Sequence, residues 1–225
     1  MTEEAAIKKA IESRRSVRAF LDRQVPEHLI KECLRLAAWA PSGANMQPWQ
    51  IDVLMGKTLK ELTTKLFQAA INDRPMQPDY DFYPEKWREP YLSRRRKIGW
   101  DLYKSVGIER TDKQKMAEQL AKNYLFFGAP VGVMVTIDRD MGQGSWIDIG
   151  IFIQTFMLAA QGFGLGTCAQ GAFANYPEIV AQTLDLPENR RIICGIAVGY
   201  ADNDAPVNQF KTEREQLNQF AKFWY

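Results

Sequence analysis

The stretch "IGIFIQTFMLAAQGFGLG" is the most apolar run in the chain and constrains its fold more than any other. A run of this length and character is either a membrane span or a helix enclosed by protein. Asp148 precedes it, and Gln154, Thr155 and Gln161 interrupt it. Those side chains do not suit a hydrocarbon-facing surface, so the run reads as a central buried helix. With 225 residues, 46% of them hydrophobic, the chain can build one sizeable core, in one domain or two tightly joined halves.

The remaining elements are read from periodicity and punctuation. Ile7, Ala10 and Ile11 share a face, which predicts a helix over residues 3–13. Pro26 opens a second helix carrying Leu29, Ile30, Cys33, Leu34 and Ala37 at helical spacing. That helix ends in "WAPSGANMQPW", whose prolines, glycine and asparagine make a loop. "QIDVLMG" alternates and stops at glycine, as a strand does, and "TLKELTTKLFQAAI" returns to helix. Further on, "KQKMAEQLAKNYLFF" and "YPEIVAQTLDLP" predict helices, and "APVGVMVTID" and "RRIICGIAVGYA" predict strands. "LGTCAQG" is a short strand or a turn. Strands alternating with helices indicate α+β or α/β architecture with a small central sheet.

Residues 72–112 change character. They carry Tyr80, Phe82, Tyr83, Trp87, Tyr91 and Trp100 among several prolines. So many aromatics argue against disorder, and a segment this long within one domain is expected to cover something. It reads as a partly helical inserted excursion, with Arg94 to Lys97 on a solvated helix face. The tail ends in Phe220, Phe223, Trp224 and Tyr225, which predict docking on another surface, such as a second subunit.

Several chemistries are excluded. The single histidine, His28, sits at a helix start with no nucleophile beside it, which removes histidine zinc sites and disfavours a triad. Cys33, Cys168 and Cys194 have neither metal nor redox-pair spacing and read as buried thiols in a reducing cytoplasm. The N-terminus lacks the pattern of a signal peptide. A net charge of +2 gives no reason to expect nucleic acid. "GFGLGT" is spaced G-x-G-x-G and ends a helix, so it reads as a helix cap, not a dinucleotide fingerprint. Hard chemistry in such a chain belongs to a cofactor.

"SRRSVRAF" places three arginines around one serine. Taken alone it is either a solvated helix end or a seat for an anion. The arginine run "RRSVR" after the first helix, "APSGANMQPWQ" after the second and the late "GLGTCAQGAF…IICGIAVGY" occur in an order that resembles the FMN-dependent nitroreductase family over nearly the whole length. That resemblance implies an α+β sandwich, with a mostly antiparallel sheet flanked by helices, in one domain over residues 1–225. The domain would carry a lid-like excursion at about 72–112 and a C-terminal arm at about 206–225. It further implies an intertwined homodimer with FMN at the interface.

By the same resemblance Arg14, Arg15 and Ser16 cradle the FMN phosphate and ribityl chain, and Lys211 and Arg214 close over them. Arg18 faces the flavin ring where negative charge gathers on reduction. Pro41, Ser42, Gly43, Asn45 and Gln47 approach from the partner subunit. Ala169, Gln170 and Gly171 lie against the ring, with a backbone N–H toward it. The implied activity is ping-pong reduction of nitroaromatic or quinone-type acceptors by NADH or NADPH in the cytoplasm, with the chemistry on FMN. Dehalogenation, enone reduction or flavin breakdown on the same scaffold, or FMN binding without turnover, are the alternatives. No metal, membrane or nucleic-acid partner is expected.

Overall fold

The computed structural model describes residues 2–225. Four strands, β1 (Gln50–Met55), β2 (Val131–Asp138), β3 (Gly166–Gln170) and β4 (Arg190–Gly199), form one sheet in the order β1-β2-β4-β3. Every neighbouring pair is antiparallel. The helices α1 (Glu3–Ser13), α2 (Glu27–Ala37), α3 (Gly56–Ile71), α4 (Tyr91–Ser105), α5 (Lys113–Ala121), α6 (Gln143–Gly162) and α7 (Pro177–Leu184) surround it, and a single turn, α8 (Pro206–Gln209), precedes the tail. The α+β reading is therefore correct.

Both faces of the sheet are covered, which is why β2 and β4 read as continuous apolar runs. Val131, Val133, Val135 and Ile137 share one cluster with Ile30, Cys33 and Ala37 of α2 and Phe152, Phe156 and Ala160 of α6. Met134, pointing the other way, joins Leu62 and Leu66 of α3, Val180 of α7, and Phe126 and Phe173. Phe126 and Phe173 stack at 4.2 Å and fill space left by two strand glycines. A Cβ at Gly132 would stand 2.6 Å from Phe126, and one at Gly195 would stand 2.5 Å from Phe173. Each such buried ring contributes about 1.5–3 kcal/mol through lost apolar exposure.

Two boundaries differ from the sequence reading. Pro26 caps α2 from outside, and the helix begins at Glu27. The helix expected through Phe127 ends at Ala121, and a tight turn follows over Lys122–Gly128. Phe126 and Phe127 there adopt left-handed backbone, with φ of 48° and 55°. Packing overrides periodicity at this point, because the turn carries the Phe126 ring under Gly132.

The end of α6 behaves as "GFGLGT" suggests. Gly164 takes a left-handed φ of 74°, and the Leu165 N–H returns to the Ala160 carbonyl at 2.9 Å. Val17 fills the space beside Gly166, so the glycine-rich segment brings β3 against residues 14–18. Among the described residues, no helix is long and apolar enough to cross a membrane.

Candidate active site

The arginine segment is held against β3 at the sheet edge. Ser16 forms an isolated parallel bridge with Thr167, and the Val17 N–H donates to the Thr167 carbonyl at 2.9 Å. Asn208, fully buried, braces the same segment from the far end of the chain. Its Oδ1 accepts the Arg18 N–H at 2.8 Å, and its Nδ2 donates to the carbonyls of Ala19 and Asp202 at 2.8 and 2.7 Å. Arg15 donates to Asn203 Oδ1 at 2.8 Å. The backbone of the cradle is thus fixed from both sides.

Charge is concentrated there. Arg14, Arg15 and Arg18 are half-buried. Among the described residues no carboxylate lies within ion-pair distance of any of them. Burial pushes the Cys168 thiol up, while Arg18, Ser16 and Arg14 pull it the other way, so these groups gather around one point on β3. Partly desolvated cations without an anionic partner suit an anion.

The segment Ala169–Gln170–Gly171 continues from that point. Ala169 is exposed, whereas the Gln170 side chain turns into the body and donates to the Asn123 carbonyl at 2.8 Å. The Gln170 Oε1 is buried without a partner. At Gly171 a Cβ would stand 2.4 Å from Phe82, a ring that reaches over from the excursion.

The loop after α2 makes its hydrogen bonds elsewhere. Ala44, Asn45 and Gln47 all take left-handed φ, between 49° and 57°. Ser42 Oγ accepts the Gln47 N–H at 3.0 Å, and the Ser42 carbonyl accepts the Asn45 N–H at 3.0 Å. Asp148, buried on α6, accepts the Gly43 N–H at 3.2 and 3.3 Å. The hydrogen bonds of Ser42, Gly43, Asn45 and Gln47 go to the loop itself and to Asp148, none to residues 14–18 or 169–171. Pro41, Gly43, Asn45 and Gln47 are exposed. Consecutive left-handed residues outside glycine mark a backbone held in place by its surroundings.

Neither Lys211 nor Arg214 makes a hydrogen bond to the cradle among the described residues. Lys211 is exposed, and Arg214 folds onto its own stretch, donating to Thr212 Oγ1 at 2.6 Å and the Glu213 carbonyl at 2.9 Å. The arm is tied to α4 by Arg94–Glu215 at 2.8 Å and Lys97–Glu213 at 3.4 Å.

Comparison with known proteins decides the family. The Nitroreductase family profile matches residues 11–200. The chain belongs to the Nitroreductase family. It is 38% identical over 216 residues to 4-nitrobenzoate reductase of Nocardioides sp. (strain LMS-CY), covering 95% of this chain and 87% of that one. Among solved structures, the FMN and NADPH-dependent nitroreductase NfnB from sphigopyxis sp. strain HMH superposes with a TM-score of 0.94 at 37% identity, covering 97% of this chain and 99% of that one. The FMN-dependent nitroreductase NfnB from Mycobacterium smegmatis, in complex with NADPH, gives 0.95 at 31% identity, with both chains fully covered. As a nitroreductase-family chain it carries two site supports that the sequence reading missed. Asp148 was read only as the residue preceding an apolar run, and Asn208 lies 190 positions from the Arg18 amide it holds. Neither leaves a local signal.

Proposed function

We propose that the protein is an FMN-dependent NAD(P)H oxidoreductase that reduces nitroaromatic and related quinone-type acceptors. The observation that carries this reading is the convergence of Arg14, Ser16 and Arg18 on β3 without a carboxylate to neutralise them, in a chain of this family. The residues fit the group: a compact cationic cradle suits a phosphate, and the adjoining 169–171 segment offers exposed backbone to a flat ring.

When bound, FMN supplies the two-electron chemistry, accepting hydride from NAD(P)H and passing reducing equivalents to the acceptor. Arg14, Arg15 and Ser16 bind the phosphate and ribityl end, each charge-assisted bond contributing about 1.5–3 kcal/mol. Lys211 and Arg214 close over the phosphate from the arm that Arg94–Glu215 and Lys97–Glu213 tie to α4. Arg18 holds positive charge at the ring. Ala169, Gln170 and Gly171 contribute through backbone, since the Gln170 side chain is committed to Asn123.

The loop of Pro41, Ser42, Gly43, Asn45 and Gln47 serves the partner's site in a homodimer. Its exposure and the absence of hydrogen bonds to the cradle of its own chain support this. So does the apolar surface left uncovered on one chain, including Ile7, Ile11, Trp39 and Ile147, with Trp39 and Trp224 each 81% exposed. The excursion at 72–112 roofs the pocket within a single domain. Three buried free thiols fit a reducing cytoplasm. Steady-state turnover with NADPH and 4-nitrobenzoate tests the reading: parallel double-reciprocal lines are expected, and no acceptor-dependent NADPH oxidation would refute it.

A further inference from the structure

The arginine segment changes partners as it crosses the edge of the sheet. Up to Val17 it is held by β3, through the Ser16–Thr167 bridge and the Val17 N–H on the Thr167 carbonyl. From Ala19 onward it is held by the chain that follows β4. There Phe20 bridges Ala201, the Ala19 carbonyl accepts the Asp202 N–H at 3.1 Å, and the Leu21 N–H donates to the Tyr200 carbonyl at 2.9 Å. Arg18 falls in the gap between these two supports. Its N–H is taken by a side chain, Asn208 Oδ1, at 2.8 Å.

Asn208 is only 1% exposed and fills this gap completely. While Oδ1 serves Arg18, Nδ2 donates to the main-chain carbonyls of Ala19 at 2.8 Å and Asp202 at 2.7 Å, which spends both of its hydrogens. A flipped amide would set Oδ1 against two carbonyls, so the partners fix its orientation. The Arg18 side chain is held far less firmly. The hydrogen bond its guanidinium makes, Nη1 to the Ser16 carbonyl, is long at 3.4 Å. Where that cation stands is therefore set mainly by the backbone beneath it, and Asn208 sets that backbone.

We propose that Asn208 is a positioning residue for flavin reduction: by holding the Arg18 backbone it sets how much more tightly the protein binds reduced than oxidised FMN. The proposal rests on the function given above, in which Arg18 holds positive charge at the ring. Coulomb attraction falls with distance, so a cation on a loosened backbone gives up part of its preference for the electron-rich form. The phosphate end of the cradle keeps its own support on β3, so binding of oxidised FMN changes far less.

The experiment reads the midpoint potential of bound FMN by dye-equilibrated titration in wild type, Asn208→Ala, Arg18→Gln and the double variant, well below each Tm. Asn208→Ala is expected to lower the reduced-over-oxidised preference about three- to ten-fold, a midpoint roughly 15–30 mV lower at about 30 mV per ten-fold. In the Arg18→Gln background the same change should shift the potential little, because the charge it positions is gone. Asn208→Ser, which keeps a hydroxyl for one of the partners, carries the same cycle at a smaller shift if the alanine variant does not fold. An unshifted potential in the FMN-loaded Asn208 variant, or an equal shift in both backgrounds, overturns the proposal. Amide hydrogen exchange of the purified chain tests the contact independently of flavin. The Arg18 N–H should exchange faster in the Asn208 variant while the Val17 N–H, held by Thr167, keeps its protection; no acceleration at Arg18, or an equal one at Val17, overturns the link. Wild type that takes up no FMN would defeat the functional reading itself, and this proposal with it.

Discussion

Replacing Asp148 tests whether the loop after α2 is held for function. Its carboxylate is 7% exposed and has no cation within ion-pair distance among the described residues, and the hydrogen bond the structure shows it making is to the Gly43 N–H. A charge-assisted hydrogen bond is worth about 1.5–3 kcal/mol. Here the two contacts are long, at 3.2 and 3.3 Å, and share one donor, which places the value at the lower end, about 1.5 kcal/mol. Against global stability that gain is offset by the cost of burying an unpaired carboxylate, so Asp148→Ala should move Tm little. Loop order has no such offset. Without the acceptor, the loop that holds the left-handed Ala44, Asn45 and Gln47 loses its hydrogen bond to α6. FMN affinity should then weaken about ten-fold, the equivalent of 1.4 kcal/mol. Asp148→Asn, which keeps an acceptor but not the charge, should lose less. Fluorescence titration of apo-protein with FMN reads both. Wild-type affinity in Asp148→Ala would refute the reasoning, and a large fall in Tm would show that the bond serves the fold instead.

The two ends of the arginine segment should separate. Arg14→Ala should weaken FMN binding by about ten- to a hundred-fold, while Arg18→Gln should retain FMN and lower its midpoint potential by roughly 20–60 mV, for about 1–3 kcal/mol of lost preference for the reduced ring; dye-equilibrated redox titration reads the second. Light scattering should give a dimer, and truncation before Phe220 should cause aggregation or flavin loss; an active species at 25.8 kDa would contradict the shared site. Burial holds the thiols of Cys33 and Cys194 up at about 11 and about 12, so they stay protonated where unfolded thiols, near 9.0, ionise. Their contribution is full below about pH 9 and is lost as pH climbs through 11 to 12, which a Tm series against pH would show as an alkaline decline that shrinks in Cys194→Ala.

How far the sequence reveals this depends on whether the cause is local. The apolar α6, its glycine cap and the all-apolar β2 and β4 follow from runs of side chains, and each is legible by eye. The cradle is half-legible: "RRSVR" advertises its charge, but Asn208 and Thr167, which orient it, lie far along the chain. The left-handed Phe126 and Phe127 are invisible to periodicity, because their reason is a ring slot made by Gly132 on another element. Gln170 illustrates the same limit inside a recognised motif, since only the fold shows its side chain facing Asn123. Gly171 was expected against the ring, and the structure shows Phe82 beside it.

Whether this chain holds FMN and cycles it between oxidised and reduced forms is read from the absorbance spectrum of the purified protein. Yellow protein with FMN in equimolar amount, bleached by anaerobic NADPH and recoloured by 4-nitrobenzoate, is expected. Colourless protein that takes up no FMN on titration, or bound flavin that NADPH leaves oxidised, would contradict it.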